Sequence, residues 1–155
     1  MNNKLTFLLI NYPQLLRKLD PETKGLWGKM NVQNMIEHMS DSLREANGKT
    51  LRSVLTPEDR LHSMKEFLMS EKEFRPNTKN VMMGEEPLPS RHSSVSEAID
   101  ELENELKDFE KHFITNLDST IINPFFGNLN FEEWIQLIHK HALHHLKQFG
   151  VSLNV

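Results

Sequence analysis

Apolar residues recur at steps of three and four along most of this chain, and no stretch shows the two-residue alternation of a strand. That periodicity commits the chain to helices that each bury one face. From Val32 to Ala46, the positions Val32, Met35, Ile36, Met39, Leu43 and Ala46 form one stripe, with Asn31 as N-cap and Asn47-Gly48 as stop. From Val95 to Asn116, Val95, Ala98, Ile99, Leu102, Leu106, Phe109 and Phe113 form another, capped by Ser93 or Ser94. A third helix runs from Phe131 to Gly150, capped by Asn130, with Glu132 and Glu133 in its first turn where the helix dipole favours them. A fourth is expected from Leu5 to Leu19, where Pro13 interrupts it or opens a shorter second turn.

Between these lie connectors. DPETKGLWGKMN carries Gly25 and Gly28 as breakers, and INPFFGNLN reads as turn-rich. Thr56-Pro57 reads as an N-cap and first-turn proline opening a helix to about Glu73. Residues 74–94 show no period and read as a long loop, either a lid that includes Met82-Met83 and Pro87–Pro89 or an ordinary surface loop. Four long amphipathic helices with one long, partly helical crossover describe an all-α four-helix bundle. With 155 residues, one domain spanning 1–155 is expected.

The charge balance narrows the function. The net charge is −4 and no basic stripe with interleaved aromatics occurs, so no nucleic-acid partner is expected. With no cysteine, disulfides, thiolate ligands and a cysteine nucleophile are excluded. The apolar run Leu5–Ile10 is too short for a signal sequence or a membrane span, so a cytoplasmic protein without a membrane partner is expected.

Four of the eight histidines fall in FEEWIQLIHKHALHHLKQFG. His141 and His145 stand one turn apart and continue the buried-side stripe Phe131, Trp134, Ile138 along its polar edge, followed by Gln148. Two imidazoles at i, i+4 can converge on one metal ion. His139 points well away from that edge and His144 lies a quarter turn off it. On the second helix His38 sits beside Met35 and Ser42, again at the margin of an apolar face. Three histidines from two helices can make a three-nitrogen site with open coordination positions. For a polar partner behind the ligands, Asp41 lies three residues from His38, and Glu105 and His112 flank the Leu102–Phe109 stripe. Glu37 faces outward as a surface charge, and His62 and His92 are expected to be exposed. Trp27 and Trp134 read as core anchors, and Trp27 can also wall a pocket.

The tail HALHHLKQFG resembles the last-helix motif of the DinB/YfiT-like superfamily of four-helix-bundle, metal-dependent proteins. There a histidine is followed four residues later by another and then, three further on, by a glutamine. WGKMNVQNMIEHM resembles the same group's first motif, and NPFFGNLNFEEW resembles one bacterial branch of it. The resemblance covers about 26–48 and 123–150. It implies a divalent metal, zinc or nickel, held by His38, His141 and His145, and a hydrolytic or thiol-transferring activity on a small-molecule substrate. Leu146 and Lys147 depart from the pattern, because many relatives carry an arginine and a glycine there. The competing expectations are a non-catalytic helical bundle that binds metal or pairs as a homodimer, and a module whose histidines bind an anion without metal.

Overall fold

The computed structural model describes residues 2–76, 84 and 86–153. Among the described residues helical structure dominates, with one two-stranded antiparallel sheet. In chain order these are α1 (Asn3–Thr6), a π-helical turn (Phe7–Asn11), α2 (Tyr12–Lys18), α3 (Val32–Ala46), α4 (Glu58–Met69), α5 (Val95–Thr115), β1 (Ile121–Asn123), β2 (Gly127–Leu129) and α6 (Phe131–Gln148). No helix among the described residues is long and apolar enough to cross a membrane.

Of the two expectations for Pro13, the second holds: it lies in the first turn of α2 and does not break the helix. The chain stays helical from α1 through α2, and the turn before the proline widens so that the Tyr12 N–H reaches the Phe7 carbonyl. Proline has no N–H and its ring crowds the preceding turn, which a π turn relieves. The α3 and α6 starts are fixed by reciprocal caps. Asn31 and Asn34 exchange side-chain to backbone bonds at 2.7 and 3.0 Å, and Asn130 and Glu133 do so at 2.9 and 3.0 Å. At the far end of α6, Gly150 takes φ +75°, and the N–H groups of Gly150 and Val151 bond back to Lys147 and Leu146, closing the last turn.

The stripes anticipated from periodicity meet in one core. α3 packs along α5 and against α6, the rod from α1 to α2 packs on α5 and α6, and α4 packs on α6. Met35, Ile36, Met39, Leu43, Leu102, Phe109, Phe113, Trp134 and Ile138 are all buried there. Each such side chain contributes roughly 1.5–3 kcal/mol by leaving water.

Two expectations fail. The connector before α6 is a hairpin, pairing Ile121 with Leu129 and Asn123 with Gly127. Its strands are three residues long, too short to show alternation. Asn123 Oδ1 accepts the N–H groups of Phe125 and Phe126, Gly127 turns at φ +84°, and the Trp134 indole N–H donates to the Ile121 carbonyl at 3.0 Å. At the second place, α4 starts at Glu58 and ends at Met69, short of Glu73. Thr56 does not cap it, since the Thr56 hydroxyl donates to the Phe125 carbonyl at 2.8 Å and so ties the chain to the hairpin.

The chain leaving α4 is drawn onto α6 by buried polar groups. Lys140 Nζ donates to the carbonyls of Ser70 and Lys72 and stands 4.9 Å over the Phe67 ring. Gln136 donates to the Ser70 carbonyl and accepts from Lys4. These bonds satisfy carbonyls just past a helix end, where no helical partner remains, and they set the chain down so that Phe74 lies over α6.

Candidate metal centre

The side chain of His38 comes from the middle of α3, and those of His141 and His145 come from successive turns of α6. Packing α3 against α6 brings the three rings together, with centroids 4.7–5.1 Å apart. His141 Nε2 lies 3.0 Å from His38 Nε2 and 2.9 Å from His145 Nε2. All three ligand atoms lie within 4.8 Å of one another. In a tetrahedral zinc shell, bonds of about 2.0–2.1 Å place neighbouring nitrogens roughly 3.3 Å apart. The two close contacts are a few tenths of an ångström tighter.

Proton positions follow from the hydrogen bonds. Gln148 Nε2 donates to the Trp27 carbonyl at 3.0 Å, which leaves Gln148 Oε1 facing His145 Nδ1 at 2.7 Å. The proton of neutral His145 therefore sits on Nδ1, and its Nε2 presents a lone pair. His141 Nε2 faces two other ring nitrogens and carries at most one proton. One cation at the meeting point would serve all three lone pairs at once, which is the fit expected of a metal-ligating set.

The electrostatics agree. Burial lowers the His38 pKa to about 4, with His144 adding to the shift. Burial likewise lowers His145 to about 3, aided by His38 and opposed by the Gln148 bond. His141 is pushed well below its usual value by burial and then by its two ring neighbours. All three are therefore neutral at pH 7, the form that ligates a cation.

Behind His145 stands a backbone clamp. The Leu26 N–H donates to the Gln148 carbonyl at 2.7 Å, so both ends of Gln148 are held by the 25–28 connector. Gly28 takes φ +77°, and a Cβ there would stand 3.0 Å from Gln148 Nε2. The glycine is needed twice, for the turn and for the close approach.

Sequence candidates divide by placement. Gln148 adjoins the imidazole of His145. Trp27 holds Gln148 through its carbonyl and lays its indole 5.5 Å from the His144 ring. Asp41 is instead engaged by Arg44 and Arg91 at 2.9 and 3.1 Å. Glu105 is buried with Lys49 and with Arg44 at 3.2 Å, and His112 packs edge-on to Phe113 near Gly48. Those three are not brought to the imidazoles.

Two further readings change. Glu37 is not a surface charge, since it is 4% exposed and accepts the N–H groups of Arg91 and His92 and a bond from Gln33. Burial pushes its pKa up, but these bonds outweigh that and leave it below the usual carboxylate value. It pins residues 91–92 to α3. His92 is half-buried beside Glu101 rather than exposed, whereas His62 is exposed. Among the residues proposed for a lid, Met82-Met83 lie outside the described residues. Glu86 pairs with Lys29 at 2.5 Å, and the Leu88 carbonyl accepts from Asn34.

Sequence reasoning missed Phe74. Its ring stands edge-on to His141 at 6.2 Å and to His144 at 6.0 Å, and packs on Phe67 and Phe126. It sits in an aperiodic stretch, where no pattern marks one aromatic as special. No family model, curated protein or solved structure matches this chain.

Proposed function

We propose that this chain is a divalent-metal protein of DinB/YfiT-like type, in which His38, His141 and His145 hold zinc or nickel with coordination positions left for substrate. The observation that carries the reading is the meeting of three neutral Nε2 atoms, 2.9 and 3.0 Å apart in the two close pairs, with Gln148 fixing the tautomer of one ring. In this reading the α1–α2 rod, α3, α5 and α6 are the four bundle helices, and α4 belongs to the crossover. A divalent ion bound by three imidazoles acidifies a water or thiol and polarises a carbonyl, which suits hydrolysis or thiol transfer. The chain's own part is to present the three lone pairs, orient His145 through Gln148 and surround the site with aromatic rings that limit water.

A second reading has an observation in its favour. Phe74 lies against His141 and His144 as a cover would, which suits a closed, structural metal site. One experiment separates them. Untagged protein is analysed for metal beside His38→Ala and His145→Ala, and the cobalt-loaded form is titrated with azide. About one ion per chain in wild type, lost in both variants, is expected. A change in the cobalt visible spectrum with azide marks an open position, and an unchanged spectrum marks the closed site. Absence of metal, with no uptake of added zinc or nickel, would sink both readings.

A further inference from the structure

Beside the three imidazoles runs a cleft walled by Trp27, Phe74, Leu143 and His144. The cleft and the candidate metal centre share a wall. His144 faces Trp27 at 5.5 Å on one side and the His145 ring at 5.0 Å on the other, while Phe74 touches both His144 and His141. Trp27 is tied to the centre through its backbone as well, since its carbonyl holds Gln148.

Three of the charges at the rim are spent locally. Lys140 Nζ is committed to the carbonyls of Ser70 and Lys72, and Lys147 pairs with Glu73 at 3.0 Å. Beside these groups, and with Glu71, Lys72 and Gln136 also in its lining, the cleft offers a ligand the indole of Trp27, the phenyl ring of Phe74 and the aliphatic side chain of Leu143. Flat aromatic walls of this kind favour a planar, uncharged apolar group, and a few nearby polar groups then fix its orientation.

Resting on the metal reading above, we infer that this cleft is a subsite of the same centre. It takes a flat, uncharged apolar group of a ligand whose small polar head reaches the ion past the edge of Phe74. The substrate class is then a compact metal-binding head, such as a carbonyl or thiol, on an aromatic or similarly flat body.

The test compares two probes with one head and different bodies. Zinc-loaded protein is titrated with acetohydroxamic acid and with benzohydroxamic acid, following heat release. The phenyl compound is expected to bind at least about tenfold more tightly, the scale of one buried aromatic ring. In Trp27→Ala the backbone carbonyl that holds Gln148 remains, so zinc content is expected to stay while the phenyl advantage falls to about threefold or less. Leu143→Ala serves as a second variant with the same expectation.

Equal affinity of the two probes in wild type would overturn the subsite and leave the metal centre standing. Equal binding of benzohydroxamic acid with and without zinc would also overturn it, by making the cleft an apolar site unconnected with the ion. Failure of the wild type to hold zinc would remove the metal reading and this inference together.

Discussion

Gln148 carries more of the site than its place at the end of a helix suggests. It links His145 Nδ1 to the Trp27 carbonyl, so it sets which nitrogen of His145 faces the other two rings. Partners of this kind commonly change metal affinity by about 10–100-fold. Gln148→Ala is therefore expected to weaken zinc binding by that factor without altering helix content, measured by competition with a chromophoric chelator and by circular dichroism. Unchanged affinity would mean that the glutamine only anchors the connector. The pair His141–His145 and the position of Gln148 were readable in the sequence because one helix fixes all three. His38 was readable only as a histidine at the right margin, since its nearest nitrogen partner lies 103 residues away. Asp41 and Glu105 misled for a physical reason. A carboxylate near a ligand looks the same in sequence whether it serves that ligand or an arginine, and here Arg44 and Arg91 claim Asp41 while Arg44 and Lys49 claim Glu105.

The elements that periodicity and caps define locally, α3, α5 and α6, lie where the sequence places them to within two residues. Pro13 was readable as a proline in the first turn of α2, but not the π turn that widens before it. The hairpin was hidden because strands of three residues show no alternation, and the early end of α4 because it depends on groups distant in the chain, Gln136 and Lys140. The segment 91–92 shows the same dependence. Its N–H groups find their acceptor in Glu37, more than fifty residues earlier. Glu37→Ala leaves those donors without a carboxylate and is expected to cost about 1–3 kcal/mol. Urea unfolding should show the lower midpoint, and amide exchange should quicken at Arg91 and His92 first. If exchange there is unaffected, Glu37 does not hold the segment.

For the whole molecule, the three depressed imidazoles link folding to pH. Their folded pKa values lie below the unfolded value of about 6.5, so below that pH the unfolded chain binds more protons than the folded one. Stability of the metal-free protein should be complete above about pH 6.5 and fall as pH drops toward about 4 for His38 and about 3 for His145. Excess zinc should raise the melting temperature at pH 7.5. At a hundredfold above Kd the gain is about 2.7 kcal/mol, or roughly 5–10 °C for a domain of this size. The zinc effect should fade in acid, where protons compete for the same nitrogens, and should be missing in His38→Ala. Thermal melts across pH, with and without zinc, check both; a melt insensitive to pH would contradict the burial of these rings. The residues from Leu51 to Leu55 are exposed, and they lie between the helix that supplies His38 and the one that supplies His141 and His145. A metal ion at the centre would therefore act as a removable stitch across that stretch. If the backbone were cut there, the ion would join the two pieces through three nitrogens in addition to their shared core, and a chelator would loosen the seam.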